Sequence, residues 1–171
     1  ALDRDVRTLL TETKAGDSIT ESADYQAVFH EMQKIAAADS DNMQAVWLGD
    51  IDANVVTQSD GFTSDKSFEI TERTWYRAVE TNSTILTSAY VDASTGNLIL
   101  SAATPVYDES GKNIIGVAGV DIALEHIDEL LPAYKIGNQG FVILVTSDGT
   151  IIYHPNSDNQ LKNLSELNVS D

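Results

Sequence analysis

Arg73-Thr74-Trp75-Tyr76 carries the side chains of this 171-residue sequence that have most to offer a ligand. The Arg73 guanidinium is a planar fork of N–H donors shaped for a carboxylate. The Trp75 indole supplies one N–H donor and a flat apolar wall. Arg73 and Tyr76 are three residues apart, so a helix over 71–80 would put them on one face. Two readings of the segment stand. In one, Trp75 anchors a core and Arg73 lies on the surface. In the other, the segment lines a pocket.

Two further places bear on that choice. In Tyr90-Val91-Asp92 the Tyr and the Asp are two apart on an expected strand, so both point to one face. At Gly119-Val120-Asp121-Ile122 an Asp interrupts an apolar strand. A buried carboxylate there needs a partner, and a ligand ammonium is one candidate; a partly exposed strand end is the plainer alternative. Taken together the pieces suit a zwitterion. Arg73 and Trp75 would hold an α-carboxylate, Asp92 and Asp121 an α-ammonium, and Tyr76 and Tyr90 would wall the pocket. A plain amine would leave Arg73 unpaired, and a plain acid would leave the two Asp unpaired. Each unpaired buried charge costs a few kcal/mol.

Other chemistries find less support. His30, His126 and His154 have no motif partner, and the chain has no Gly-x-Ser-x-Gly elbow, His-Glu-x-x-His pair or Gly-rich phosphate loop. Binding rather than catalysis is therefore expected, with no cofactor. Asp50, Asp52 and Asn54 have the alternate spacing of a calcium loop. Val55 stands where that loop needs glycine, and Gly61 where it needs a bidentate Glu, so a polar strand end is expected instead. The absence of cysteine excludes disulfides and thiolate metal sites. With 27 acidic and 10 basic residues the formal charge is -17, which repels nucleic acid and anionic lipid. The acidic residues are scattered, as on a solvated surface. No apolar run has the length of a membrane span.

These residues need elements to hold them. Leu2, Val6, Leu9 and Leu10 recur at helical spacing, and Gly16-Asp17 ends that helix. Tyr25, Val28, Phe29, Met32, Ile35 and Ala36 form the stripe of a second helix, a packing face. The period then shortens. Strands are expected at 45–49, 55–57, 85–91, 98–103, 106–107 and 114–122, with turns at Ser59-Asp60-Gly61, Ser94-Thr95-Gly96-Asn97 and 108–112. A connecting helix is expected over 123–133. A further strand pair, 141–145 and 151–153, flanks Ser147-Asp148-Gly149 and repeats the earlier strand, Asp-Gly turn, strand pattern. Hydrophobic residues make up 42% of the chain, enough for a core, and helices leading into an antiparallel meander predict an α+β fold.

The order Arg73-x-Trp75-Tyr76, Tyr90-x-Asp92-x-x-Thr95-Gly96, Thr104-Pro105-Val106-Tyr107-Asp108, then Gly116-Val117-x-Gly119-Val120-Asp121-Ile122 resembles the double Cache (dCache) family. Gly140-Phe141-Val142 through Asp148-Gly149 to His154-Pro155-Asn156 resembles the opening of that family's membrane-proximal module. The resemblance covers residues 20–165. It implies a PAS-like sensor region of a bacterial chemoreceptor, histidine kinase or diguanylate cyclase, on the extracytoplasmic side of the cell membrane. It implies an N-terminal helical region over 1–38, a membrane-distal PAS-like ligand-binding module over 39–131, and a partial proximal module over 132–171. Transmembrane helices would lie outside this segment, and the N-terminal helix would mediate a homodimer.

Within that family, Arg73, Trp75, Tyr76, Tyr90, Asp92 and Asp121 match the amino-acid-binding subset. The resemblance assigns the carboxylate to Arg73 and Trp75 and the amine to Asp92 and Asp121. Five residues before the Arg that subset often carries an aromatic hydroxyl. Here the position is Phe68, which can wall a pocket but cannot hydrogen-bond. The expected function is sensing of a free L-amino acid, which would draw the Arg73 segment toward the sheet. An amine, a small carboxylate or a nucleobase derivative on the same fold, or a dimerisation module without ligand, are the alternatives.

Overall fold

The computed structural model describes residues 2–65, 67–124, 131, 137, 140–146 and 148–167. Within it the chain forms two compact units, Ala1–Thr87 with Ser101–Ile122, and Ser88–Leu100 with Ala123–Asp171. This partition groups residues differently from the boundaries expected at 38 and 131.

The first unit begins with helix α1, Leu2–Glu12. Asp3 and Asp5 in its first turn suit the positive end of the helix dipole. Its apolar side buries Leu9 and Leu10, and Gly16, at a φ of 96° that favours glycine, reverses the chain after it. Helix α2, Tyr25–Ala37, buries Tyr25, Val28 and Met32 at helical spacing. Ile35 lies at the edge of the stripe and is exposed.

Strand β1, Met43–Asp50, is buried along its last six residues. It pairs antiparallel with β2, Val55–Gln58, and with β6, Ile114–Ala123. Beyond β6 come β5, Leu98–Tyr107, and β3, Ile85–Leu86, giving the order β2-β1-β6-β5-β3. Burial on both sides of β1 reflects its two coverings. Val46 and Leu48 join Leu9, Ile19, Tyr25, Val28 and Met32 in the core beneath the helices. Trp47, on the opposite face, packs against Trp75.

Three expectations are corrected. Residues 71–80 are not one helix. They form 3-10 turns at Ile70–Glu72 and Thr74–Tyr76 and a single α-turn, α3, Arg77–Glu80, with Arg73 extended between the 3-10 turns at φ -82° and ψ 142°. Ile70 and Trp75 are both buried. Five residues apart, they would be about 140° out of phase on a continuous helix, and the kink at Arg73 lets both face inward. Residues 85–91 are likewise split, into β3 and β4, Tyr90–Val91. At the break the Ser101 N–H donates to the Thr87 hydroxyl, a side chain taking the place of a ladder carbonyl. In the opposite sense, 98–107 is one strand running through Pro105.

In the second unit β4 pairs antiparallel with the start of β5, Tyr90 opposite Ile99 and Val91 opposite Leu98. Ala89, Leu124 and Ile152 form its core, with Leu98 and Leu100 packed on them. A hairpin of β7, Leu144–Val145, and β8, Ile151–Tyr153, completes it. The strand expected over 141–145 is thus confined to its last two residues, and Phe141 lies half-exposed against the His154 ring. Most of the helix expected over 123–133, and His126 with it, falls outside the described residues. The α+β class expected from the sequence holds.

Candidate functional site

Asp121 is 3% exposed, so it is no partly exposed strand end. It sits on β6 opposite Ala45, two residues beyond the Trp47–Gly119 pair. The register places Trp47 and Asp121 on one face of the sheet. The Trp47 Nε1–H donates to Asp121 Oδ1 at 2.7 Å, and the Ser101 hydroxyl donates to the same oxygen at 2.5 Å. All three residues are buried. A buried carboxylate is tolerated where such charge-assisted bonds replace its water.

Trp75 continues the same arrangement. Its ring centroid lies 4.7 Å from that of Trp47, tilted by 44°. Two glycines make room. A β-carbon on Gly119 would fall 2.2 Å from Trp47 Cζ2, and one on Gly49 would fall 3.4 Å from Trp75 Cη2. Trp75 is therefore a buried anchor, as one sequence reading had it, but Arg73 is not a surface residue. The Arg73 Cζ lies 3.8 Å from the centroid of the Phe68 ring, a cation–π arrangement. Its Nε is buried without a hydrogen-bond partner among the described residues. Phe68 thus does more than wall the site: it holds the flat face of the guanidinium and leaves the N–H edges for an acceptor. Tyr76 is half-buried, and its backbone N–H donates to the Arg73 carbonyl at 2.9 Å. Arg73 and Tyr76 are related by this 3-10 turn rather than by a helix face.

Tyr90 and Asp92 belong to the second unit. Tyr90 is half-buried on β4, and Asp92 follows that strand. Asp92 Oδ2 accepts the Ser94 hydroxyl at 2.6 Å, the Thr95 hydroxyl at 2.7 Å and the Thr95 N–H at 2.9 Å. Burial pushes its carboxyl up, but these donors outweigh burial and hold it below the usual aspartate value. Gly96, at φ 76°, completes the turn into β5. Asp92 therefore organises the β4–β5 turn, a role its strand spacing did not suggest.

Asp50, Asp52 and Asn54 do not converge. Asp50 is wholly buried and accepts the Ala53 N–H, Asp52 faces Lys14 at 3.6 Å, and Asn54 Oδ1 accepts the Ile70 N–H. Among the described residues no group of three His, Cys, Asp or Glu side chains could hold a metal ion.

Sequence reasoning missed Trp47 and Ser101, reading both as strand residues. A faint signal was present: Trp47-x-Gly49 and Gly119-x-Asp121 each pair a member of the buried Trp47–Asp121 bond with a glycine on the same strand face.

The profile of the Cache domain family dCache_1 matches residues 3–171. A methyl-accepting chemotaxis protein, PscA of Pseudomonas syringae pv. tomato, is 32% identical over 128 residues, 74% of this chain and 20% of that protein. The chain thus spans about a fifth of the length of that relative. The ligand-binding domain of the Pseudomonas fluorescens chemoreceptor CtaA, solved with L-valine, superposes with a TM-score of 0.65 at 26% identity, over 96% of this chain and 68% of that one. The ligand-binding domain of the Pseudomonas aeruginosa amino acid chemoreceptor PctC, solved with GABA, gives 0.67 at 28% identity, over 94% and 68%. No helix among the described residues is long and apolar enough to cross a membrane. A family profile that matches nearly the whole chain settles the membership: this chain belongs to the Cache domain family.

Proposed function

We propose that the chain is the extracytoplasmic sensor region of a bacterial transmembrane receptor and that it binds a free L-amino acid. One observation carries this reading. The Arg73 guanidinium is stacked on Phe68 with a buried Nε that finds no acceptor among the described residues, and the Trp75–Trp47 pair links its segment to the buried Asp121 carboxylate. Opposite charges on one framework suit the two ends of a zwitterion, and an apolar wall between them suits its carbon skeleton.

Arg73 and Trp75 take the carboxylate, with Phe68 fixing the plane of the guanidinium. Asp121 takes the ammonium. Tyr76, Tyr90 and Asp92 enter through the sequence motif rather than through geometry. Support also comes from the likeness to chemoreceptor domains solved with amino acids. Residues 39–131 would act as the ligand-holding module and 132–171 as part of a membrane-proximal one, with dimerisation through the N-terminal helix. The region acts by binding and not by catalysis. A ligand that prefers one arrangement of the Arg73 segment by a few kcal/mol is enough to shift a two-state receptor.

A second reading, a zwitterion whose amine lies beyond the α-carbon, is favoured by the likeness to the PctC domain solved with GABA. The test is calorimetric titration with each of the twenty amino acids and with GABA, on the wild type and on Arg73→Ala and Asp121→Ala. Binding abolished by both substitutions supports the proposal. Binding that survives Arg73→Ala assigns the site to amines, and a folded protein that binds none of the probes overturns the reading.

A further inference from the structure

Asp121 Oδ1 receives two donors from two different strands, Trp47 on β1 and Ser101 on β5, with β6 lying between them. Ser101 is fully buried and Trp47 is 2% exposed, so bulk water does not compete for either bond. Two converging donors on one oxygen fix both the rotamer of the side chain and the plane of its carboxylate. Neither donor belongs to the Arg73-x-Trp75-Tyr76, Tyr90, Asp92, Asp121 pattern. The seating of Trp47 is also costly in design terms, since it requires a glycine directly beneath the indole.

We infer that Trp47 and Ser101 are positioning residues for amine recognition: they clamp Asp121 in the one orientation that can meet a ligand ammonium. Trp47 has a second function that follows from the same geometry. Its indole bonds Asp121 through the ring edge and touches Trp75 through its rings, so it sets the spacing between the amine-binding and carboxylate-binding halves of the site. Ligand length is then measured by a rigid aromatic pair rather than by flexible side chains. This inference rests on the amino-acid reading of Asp121.

The geometry separates the two donors by what their loss should do. Ser101→Ala removes one hydroxyl and no packing volume of consequence. Removing a hydrogen bond to a charged group costs about tenfold or more in the equilibrium it supports. Trp47→Phe removes the N–H and part of the Trp75 contact together, so its effect should be larger.

The test is calorimetric titration of the wild type, Ser101→Ala, Trp47→Phe and Asp121→Asn with L-alanine, L-serine and L-valine, beside thermal melting. Proton–nitrogen spectra of the two indole N–H groups accompany it. Ser101→Ala should bind about tenfold more weakly or worse and should melt lower than the wild type while still unfolding cooperatively, because the buried carboxylate loses one donor. Saturating L-alanine should shift the Trp47 indole N–H resonance in the wild type and leave it unmoved in Asp121→Asn. A residue that merely supported the fold would give no such ligand-dependent signal. Wild-type affinity in Ser101→Ala, or a Trp47 resonance indifferent to saturating ligand, overturns the inference even if Trp47→Phe fails to fold. Wild-type affinity in Asp121→Asn overturns instead the reading beneath it, and a folded wild type that binds none of the three, nor any other amino acid, removes both.

Discussion

Gly119 lies directly beneath the Trp47 indole, so close that a β-carbon there would stand 2.2 Å from Cζ2 and 2.5 Å from Cε2. Trp47 is buried and tied by its N–H to Asp121, so it cannot swing aside. Gly119→Ala should destabilise the protein by about 1–3 kcal/mol, the usual cost of overpacking a closed site. Gly49→Ala makes the contrast, because its β-carbon would meet Trp75 at 3.4 Å and should cost no more than about 1 kcal/mol. Denaturant unfolding of the two variants measures the difference, and equal effects would contradict it.

Asp50 predicts how stability depends on pH. It is wholly buried, with Oδ2 lacking a hydrogen-bond partner among the described residues. Burial pushes its carboxyl from 3.8 up to about 6; the Ala53 N–H pulls it down, Asp52 pushes it up and Lys14 pulls it down. Between about pH 4 and pH 6 the folded state therefore holds a proton that the unfolded state has released. Its contribution is fully present below about pH 4 and is lost as pH rises to about 6, a change of about 2–3 kcal/mol. Asp50→Asn should abolish that loss and unfold at higher denaturant than the wild type at pH 7. A wild-type profile in Asp50→Asn would remove Asp50 as the cause.

Asp92 acts with the opposite sign. Its carboxyl is held low in the folded state, so its contribution is present at neutral pH and lost on acidification. Because Asp92 caps its own turn, Asp92→Ala should lower stability by about 1–3 kcal/mol through three lost hydrogen bonds. Asp92→Asn keeps an acceptor for Ser94 and Thr95 while removing the charge. Amino-acid binding lost in Asp92→Asn with little change in melting would identify a ligand contact. Unchanged binding would leave Asp92 a turn residue alone.

Arg73 and Phe68 form the remaining testable pair. Arg73→Lys replaces a stacked planar fork with a point charge, which cannot reproduce its geometry over the Phe68 ring. Amino-acid affinity should fall about tenfold or more, the scale of one charge-assisted hydrogen bond. Phe68→Leu removes the cation–π contact but leaves the guanidinium, and should cost about 0.5–1 kcal/mol in affinity, less than tenfold. Titration of both against the wild type checks the order; an affinity for Arg73→Lys above that of Phe68→Leu would contradict it.

The order of most elements was legible in the residues themselves. Apolar spacing of 3.6 located α1 and α2, alternation with Asp, Gly and Asn turns located most of the strands, and both periods depend only on local backbone geometry. Of the elements that were misjudged, 71–80 and 85–91 are those where a neighbouring strand or a buried side chain overrides local preference. Ile70 and Trp75 must both face inward, and the Thr87 hydroxyl replaces a carbonyl in the ladder.

The candidate ligand groups were named from charge and shape, properties each residue carries wherever it lies. Their surroundings were not, because partners such as Trp47 and Asp121 are 74 positions apart and meet only through the register of β1 on β6. Pairing of β4 with β5 likewise made Asp92 a turn residue, and the packing around the end of β1 buried Asp50. The sequence by itself determined the helical and strand periods, the turns and the charges available to a ligand. Only the tertiary structure decided which of those charges are buried, what holds them, and which glycines must stay bare, since desolvation and close contact arise from segments brought together by folding.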